Sequence, residues 1–152
     1  MTDRTEAGRS RYAQFPVQKV ALIIGIVFLL VGAAGFIPGL THGTHELHAA
    51  GAHSSALLLG VFQVSVLHNI VHLLFGVAGI AVAAAPRASR MYLIWGGVIY
   101  LVLWIYGLFA IHNDELNFVP VNSADNWLHL GLAAGMILLG VLVGRRRAPA
   151  TS

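Results

Sequence analysis

A long apolar run at residues 56–85 strongly limits what this protein can fold into. Its thirty residues include no Asp, Glu, Lys or Arg. As one straight helix the stretch would be about 45 Å long, which exceeds the roughly 30 Å hydrocarbon core of a bilayer. We therefore expect the span itself to occupy about residues 67–85. Residues 56–66 then either extend that helix beyond the membrane or form a short segment at its surface.

Three further apolar segments lie at residues 17–37, 92–111 and 126–144. Each is about 20 residues long, which is enough to cross a bilayer as a helix. Only 10% of the chain is charged and its mean hydropathy is +0.77, whereas a soluble domain is about 25% charged. The sequence therefore predicts an all-α fold at residues 17–144, a four-transmembrane-helix bundle built from two tandem helical hairpins.

All nine Lys and Arg residues fall on one side of this predicted topology. They occupy the N-terminal tail and its junction, the loop between the second and third spans, and the C-terminal tail. Because positive charge is retained on the cytoplasmic side, we expect a multi-pass protein of the cytoplasmic membrane. Both basic tails, residues 1–16 and 145–152, are then cytoplasmic. The pI is near 9.8. We attribute it to basic residues that flank the spans and contact the lipid bilayer, rather than to binding of nucleic acid.

Several kinds of chemistry are excluded by residue content. The chain has no cysteine, so disulfides, iron–sulfur clusters and thiolate zinc sites are ruled out. The sequence also shows no nucleophile–base pair, no phosphate-binding glycine loop and no paired carboxylates of a hydrolase. We therefore expect a protein that is not an enzyme.

An Asn followed three residues later by His occurs in two predicted spans, as Asn69 with His72 and as Asn126 with His129. A shift of 57 residues aligns the two copies without gaps. A shift of 72 residues also aligns the first span with the third: Gly25, Leu29 and Gly35 with Gly97, Leu101 and Gly107. We predict an internal repeat of two hairpins, related by an axis along the membrane normal.

Polar side chains inside a membrane turn towards protein rather than lipid. On each helix the Asn–His step continues as a stripe of mostly small residues, which lets helices approach closely. Both stripes are therefore expected to face inward. We predict a polar core or cofactor site formed by the following residues: His68, Asn69, His72, Tyr100, Trp104, Asn126 and His129.

Three interpretations of this polar core remain open. The side chains could hydrogen-bond one another and hold the helices together, as in an accessory or interaction subunit of a membrane assembly. His72 and His129 could instead ligate a haem b or a divalent metal in a redox or sensor protein. A small conduit for protons or solute is the third.

Glycine pairs such as Gly131 and Gly135 could serve packing within the chain, a homo-oligomer or another membrane protein.

The loop at residues 38–55 is rich in histidine. His42, His45 and His48 are spaced three apart, with Glu46 among them. Imidazole and carboxylate at short spacing suit zinc or copper, so we predict a metal site here. A loop that responds to pH by charging these imidazoles is the alternative.

Three segments carry a resemblance to a known family: LLGVFQV at 58–64, LHNIVHLLFG at 67–76 and NFVPVNSADNWLH at 117–129. They resemble an uncharacterised, actinobacterial-type family of four-helix integral membrane proteins, catalogued as a domain of unknown function. The resemblance covers residues 17–144 and implies four spans and a membrane location. It implies no activity, cofactor, partner or catalytic residue.

Overall fold

A computed structural model of the chain describes residues 12–144, and within them the fold is mostly helical. Four helices follow one another along the chain: α1 at Pro16–Ala34, α2 at Val66–Val82, α3 at Pro86–Ala110 and α4 at Ser123–Leu142. Three short strands lie between α1 and α2: β1 at Thr41–His42, β2 at Leu57–Leu58 and β3 at Phe62–Gln63. The predicted all-α class with four helices is confirmed.

Helices α1, α3 and α4 are each long and apolar enough to cross a membrane. Helix α2 is equally apolar but shorter, with 17 residues. At 1.5 Å per residue it is about 25 Å long, which is near the lower limit of a spanning helix. Large apolar side chains are exposed along all four helices, as expected of surfaces that face lipid.

The first hairpin, α1 with α2, closes where glycines face each other. A Cβ atom added to Gly25 would lie 2.8 Å from the carbonyl oxygen of Gly76 and 2.8 Å from the amide nitrogen of Ile80. At Gly32 it would lie 2.8 Å from the carbonyl oxygen of Asn69. The two backbones are in direct contact at these positions, which only glycine permits.

The second hairpin, α3 with α4, closes in the same way. A Cβ atom added to Gly97 would lie 2.9 Å from the carbonyl oxygen of Ala133 and 3.0 Å from the amide nitrogen of Ile137. Gly140 of α4 packs against Ile94 of α3. The hairpins then meet in a core that includes Val17, Phe28, Leu93, Tyr100, Ala133 and Met136.

Helix α3 begins earlier than the sequence predicted. The sequence predicted a basic loop before a third span at 92–111, but residues 86–90 of that loop are the first turn of the helix. Pro86 occupies the first helical position, where its fixed φ suits a helix and its missing N–H is not needed. Ser89 then donates from its hydroxyl to the carbonyl oxygen of Val82 at 2.8 Å, which ties the start of α3 to the end of α2.

Residues 56–66 were one alternative for an extension of α2, but α2 begins only at Val66, so that alternative was wrong. The segment before it includes strands β2 and β3, which pair antiparallel with each other, and β1 pairs with β2. The chain reverses between β2 and β3 at Leu59 and Gly60, which have φ of 53° and 72°; this left-handed backbone cannot continue a helix. We call residues 41–64 the cap.

The cap also contacts the second hairpin. The amide nitrogen of Gln63 donates to Oδ2 of Asp125 at 2.9 Å, and Nδ2 of Asn122 donates to the carbonyl oxygen of Val61 at 2.7 Å. The amide of Gly51 donates to the carbonyl oxygen of Phe118 at 2.7 Å. These hydrogen bonds join the connection inside the first hairpin to the start of α4.

The opposite end of the bundle carries the basic residues of the described part of the chain, Lys19, Arg87 and Arg90. Here the amide of Ala13, just before α1, donates to the carbonyl oxygen of Ala83. Nε of Arg90 donates to the carbonyl oxygen of Gly140 at 3.3 Å. We call this the basic end and the opposite one the cap end.

Candidate ligand site between the hairpins

A cavity of about 220 Å³ lies between the two hairpins, towards the cap end. It brings together three of the predicted histidines, His68 and His72 from α2 and His129 from α4, with Tyr100 from α3. The remaining lining residues are apolar: Leu67, Val71, Phe75, Ile99, Leu103 and Val119. The cavity is therefore an apolar space with imidazoles in its wall.

His68 and His72 lie one helical turn apart and their rings stack. The ring centroids are 4.4 Å apart and the planes differ by 4°. Nδ1 of His72 lies 3.0 Å from the carbonyl oxygen of His68. Because a carbonyl oxygen only accepts, Nδ1 must carry the proton, and Nε2 of a neutral His72 is then an acceptor.

His129 faces the same cavity but is bonded differently. Its side chain is buried, and its Nδ1 has no hydrogen-bond partner among residues 12–144. The ring lies 5.4 Å from that of Tyr100, centroid to centroid. A buried polar atom without a partner costs about 1–3 kcal/mol, and this nitrogen has almost no surface accessible from the cavity.

Aromatic rings hold these histidines in place from the side of α1. Phe28 of α1 lies edge-on to His72, with centroids 5.4 Å apart, and stacks on Tyr100 at 5.6 Å. Phe75 contacts both Phe28 and Tyr100 at 5.8 and 6.1 Å. Such pairs stabilise by about 0.5–1.5 kcal/mol each beyond their buried area, so the histidine side chains are packed against a rigid cluster.

The predicted asparagines do not line the cavity. Asn69 packs against Gly35 and Asn126 against Gly107, and a Cβ atom at either glycine would overlap the amide. Each asparagine therefore lies within its own hairpin rather than between hairpins. Nδ2 of Asn69 and Oδ1 of Asn126 have no hydrogen-bond partner within the described range 12–144. Trp104 is half-buried and also lies outside the lining.

The two inward stripes are buried as predicted, except at one residue. All members of both stripes are buried except His72, which is half-buried: Asn69, Gly76, Gly79 and Ala83 on α2, and Asn126, His129, Ala133, Met136 and Gly140 on α4. The half-buried position of His72 follows from its place at the cavity.

The histidine-rich loop lies at the cap end. His42, His45 and His48 are all exposed, and Nε2 of His45 lies 3.5 Å from Oε1 of Glu46. Glu46 also accepts a hydrogen bond from the hydroxyl of Ser55. Over residues 12–144 no three His, Cys, Asp or Glu side chains are grouped so that they could hold a metal ion. A metal site formed by these residues stays a prediction from the sequence alone.

Three residues beside the cavity histidines were not identified from the sequence: Phe28, Phe75 and Val119. Phe75 lies three residues after His72 and therefore on the same face, which was a usable signal. Val119 comes from the loop before α4, and Phe28 contacts His72 from α1. Their roles depend on how separate helices meet, and no local pattern predicts that.

A family model described as a domain of unknown function, DUF4383, matches residues 18–142. The chain belongs to this family. The match and the apolar helices fit a small membrane protein. The match does not address the actinobacterial character that the resemblance implied. Comparisons with curated proteins and with solved structures gave no match.

Proposed function

We propose that this protein is a small non-enzymatic subunit of the cytoplasmic membrane that holds a small lipid-soluble molecule in the cavity between its hairpins. One observation carries the proposal. The space of about 220 Å³ between the hairpins has apolar walls and is lined by His72, whose Nδ1 bonds the carbonyl oxygen of His68 and whose Nε2 is therefore left as an acceptor. A bound molecule that donates a hydrogen bond to Nε2 would be held in the cavity.

The geometry of the cavity supports binding rather than packing alone. If the imidazoles served only to hold the hairpins together, they would bond each other or carbonyl groups across the interface. Instead, the only hydrogen bond found for these rings within the described range stays inside α2, between His72 and His68. The space beside them is about 220 Å³, larger than an engineered apolar cavity of about 150 Å³ that binds benzene.

The proposed orientation has both chain ends in the cytoplasm. Lys19, Arg87 and Arg90 share the basic end, and the acidic residues Asp114 and Glu115 lie in the loop after α3, at the cap end. The positive-inside rule then places the cap and the cavity towards the outer leaflet.

We also infer that the two hairpins are an internal repeat. In the first hairpin Gly25 contacts Gly76 and Ile80. A shift of 72 residues takes Gly25 to Gly97, and a shift of 57 takes the other two to Ala133 and Ile137, which Gly97 contacts in the second hairpin. The pairing of Gly35 with Asn69 has a similar equivalent, Gly107 with Asn126. Because the two shifts were found in the sequence independently of these contacts, their agreement supports the repeat.

Ligand retention tests the proposed function. Ile99 lines the cavity and Ile105, on the same helix, does not, while their exposures are nearly equal at 45% and 46%. We expect native mass spectrometry of the protein in lipid nanodiscs to show a small-molecule adduct. Ile99→Trp should remove the adduct because the indole occupies the cavity, and Ile105→Trp should retain it. Equal adducts in both variants, or none in the wild type, would overturn the proposal.

Orientation has a separate test, since the absence of native cysteine allows single-cysteine labelling. His53 lies in the cap and Ala84 between α2 and α3, and both are exposed. A membrane-impermeant maleimide should label His53→Cys in intact cells and Ala84→Cys only after permeabilisation. The reverse pattern would place the cap inside.

A haem or metal protein is the second candidate, and one observation favours it. His72 donates from Nδ1 to a backbone carbonyl, as metal-ligating histidines commonly do. The cavity is too small for a haem. Its volume is about 220 Å³, whereas pockets for drug-sized ligands have roughly 300–1,000 Å³, and a porphyrin is at least as large as such a ligand. A Soret band lost in both His72→Ala and His129→Ala would favour haem over the proposed function.

A further inference from the structure

The chemistry of the cavity wall restricts the ligand to neutral molecules. None of the described residues that line the cavity is Lys, Arg, Asp or Glu. The polar groups of the wall are three imidazoles and the side chain of Tyr100, set among aliphatic and phenyl groups. A charged ligand would lose its hydration here without an opposite charge to compensate, which is strongly unfavourable.

The cavity has the size and the walls for one aromatic ring. A cavity of about 150 Å³ accommodates benzene, so about 220 Å³ leaves room for small substituents on such a ring. Five ring side chains from three helices line this space: His68, His72, Phe75, Tyr100 and His129. Aromatic side chains pair with another ring in offset or edge-on geometry.

The hydrogen bonds available in the wall favour a hydroxyl group. Nε2 of His72 is an acceptor, because Nδ1 of the same ring donates to the carbonyl oxygen of His68, and it therefore needs a donor. Nδ1 of His129 also lacks a partner within residues 12–144 but has almost no accessible surface, so His72 is the acceptor for a ligand. A hydroxyl can donate to Nε2 of His72, whereas a ketone or an ether offers it no proton.

One side of the cavity is lined by residues that face lipid. Leu67, Val71 and Ile99 belong to the lining and are 36%, 41% and 45% exposed. They come from the adjacent helices α2 and α3, so the space between these helices opens sideways to the bilayer. A ligand can enter from the membrane, and a hydrocarbon substituent can remain in the opening.

We infer that the cavity binds the phenol-type ring of a neutral, lipid-soluble compound, with its hydroxyl at His72 and its apolar substituent in the opening between α2 and α3. This inference rests on the proposed function, because it requires that the cavity holds a ligand.

Three probes of similar shape test it: 4-propylphenol, 4-propylanisole and propylbenzene. The first can donate and accept a hydrogen bond, the second can only accept, and the third can do neither. Affinities are measured by calorimetric titration of the protein in nanodiscs, and binding to empty nanodiscs is subtracted. We expect 4-propylphenol to bind roughly ten-fold more tightly than the other two, as expected for one to two net hydrogen bonds.

Variants of the cavity wall show which residue causes the preference for 4-propylphenol. His72→Phe should abolish it, and His72→Gln should restore part of it because the amide oxygen again provides an acceptor. His112→Ala removes an exposed histidine outside the cavity and should leave the preference unchanged. Circular dichroism and gel filtration of each variant report whether it is folded.

The outcomes separate the inference from the proposed function. If all three probes bind with equal affinity and Ile99→Trp abolishes their binding, the cavity holds an apolar occupant such as an acyl chain. The phenol inference is then overturned and the proposed function stands. If no probe binds above empty nanodiscs while native mass spectrometry still shows an adduct, the inference alone fails. If neither binding nor an adduct is found, both fail.

Discussion

The two hairpins close by the same contacts and differ in what their polar residues do. In each, a glycine near the middle of the first helix touches the backbone of the second: Gly25 at Ile80, and Gly97 at Ile137. The second helix of each starts with an equivalent N-cap. Oγ of Ser65 accepts from the amide of His68 at 3.1 Å, and Oδ1 of Asn122 accepts from that of Asp125 at 3.0 Å.

The difference begins at the third residue of each second helix. In α2 this residue is His68, which faces the cavity, whereas in α4 it is Asp125, which binds the cap. One turn later, His72 bonds the carbonyl of His68 while Nδ1 of His129 has no partner in the range 12–144. The comparison shows that one backbone arrangement serves twice, and that the equivalent histidines His72 and His129 have different hydrogen-bonding environments in the two halves.

The largest effect is expected where the hairpins are alike. Gly25→Ala and Gly97→Ala each add a Cβ within 3 Å of a facing atom, so the helices must separate. We expect each to lower the free energy of unfolding by up to about 3 kcal/mol, measured by detergent titration followed by circular dichroism. Gly131→Ala is the matched control, because nothing lies within 4 Å of that position. A much smaller loss at Gly25 than at Gly97 would break the equivalence.

A medium effect should separate the two N-caps. Ser65→Ala removes one hydrogen bond to a helix amide and should lower stability by about 1 kcal/mol. Asn122→Ala also removes the bond to Val61 of the cap, so we expect about 2 kcal/mol, since each hydrogen bond contributes about 0.5–1.5 kcal/mol. The same titration measures both. Equal losses would show that the contact between cap and α4 adds nothing.

The smallest effect concerns the two histidines in the absence of ligand. His129→Leu removes a buried nitrogen without a partner in the described chain, so stability should stay the same or rise by about 1 kcal/mol. His72→Leu removes a hydrogen bond and should lower stability by a similar amount. Thermal scans of protein purified without added ligand measure both. A large loss from His129→Leu would mean that its ring is already fully bonded.

The helices and their inward faces were predictable because the signals are local. Uncharged runs of spanning length indicate the helices, and the spacing of Asn69, His72 and Gly76 indicates which face is buried. These arguments need no knowledge of which helices touch.

What could not be predicted depends on register between helices. Asn69 looked like a member of the shared site, but the crossing point of α1 and α2 places it against Gly35. The start of α3 at Pro86 was missed because Arg87 and Arg90 suggested a loop, although proline is also favoured at the first helical position. The strands at residues 57–63 were missed since the run is as apolar as the helix that follows it.

The cap has a consequence for the order in which the molecule assembles. Oδ2 of Asp125 accepts at once from the amide of Asn122 in its own helix and from the amide of Gln63 in the cap. The first turn of the last helix is therefore completed by a segment synthesised about sixty residues earlier. Because the N-terminal half is synthesised first, we expect its strands to pair before the C-terminal helix arrives and to set the depth at which that helix comes to rest.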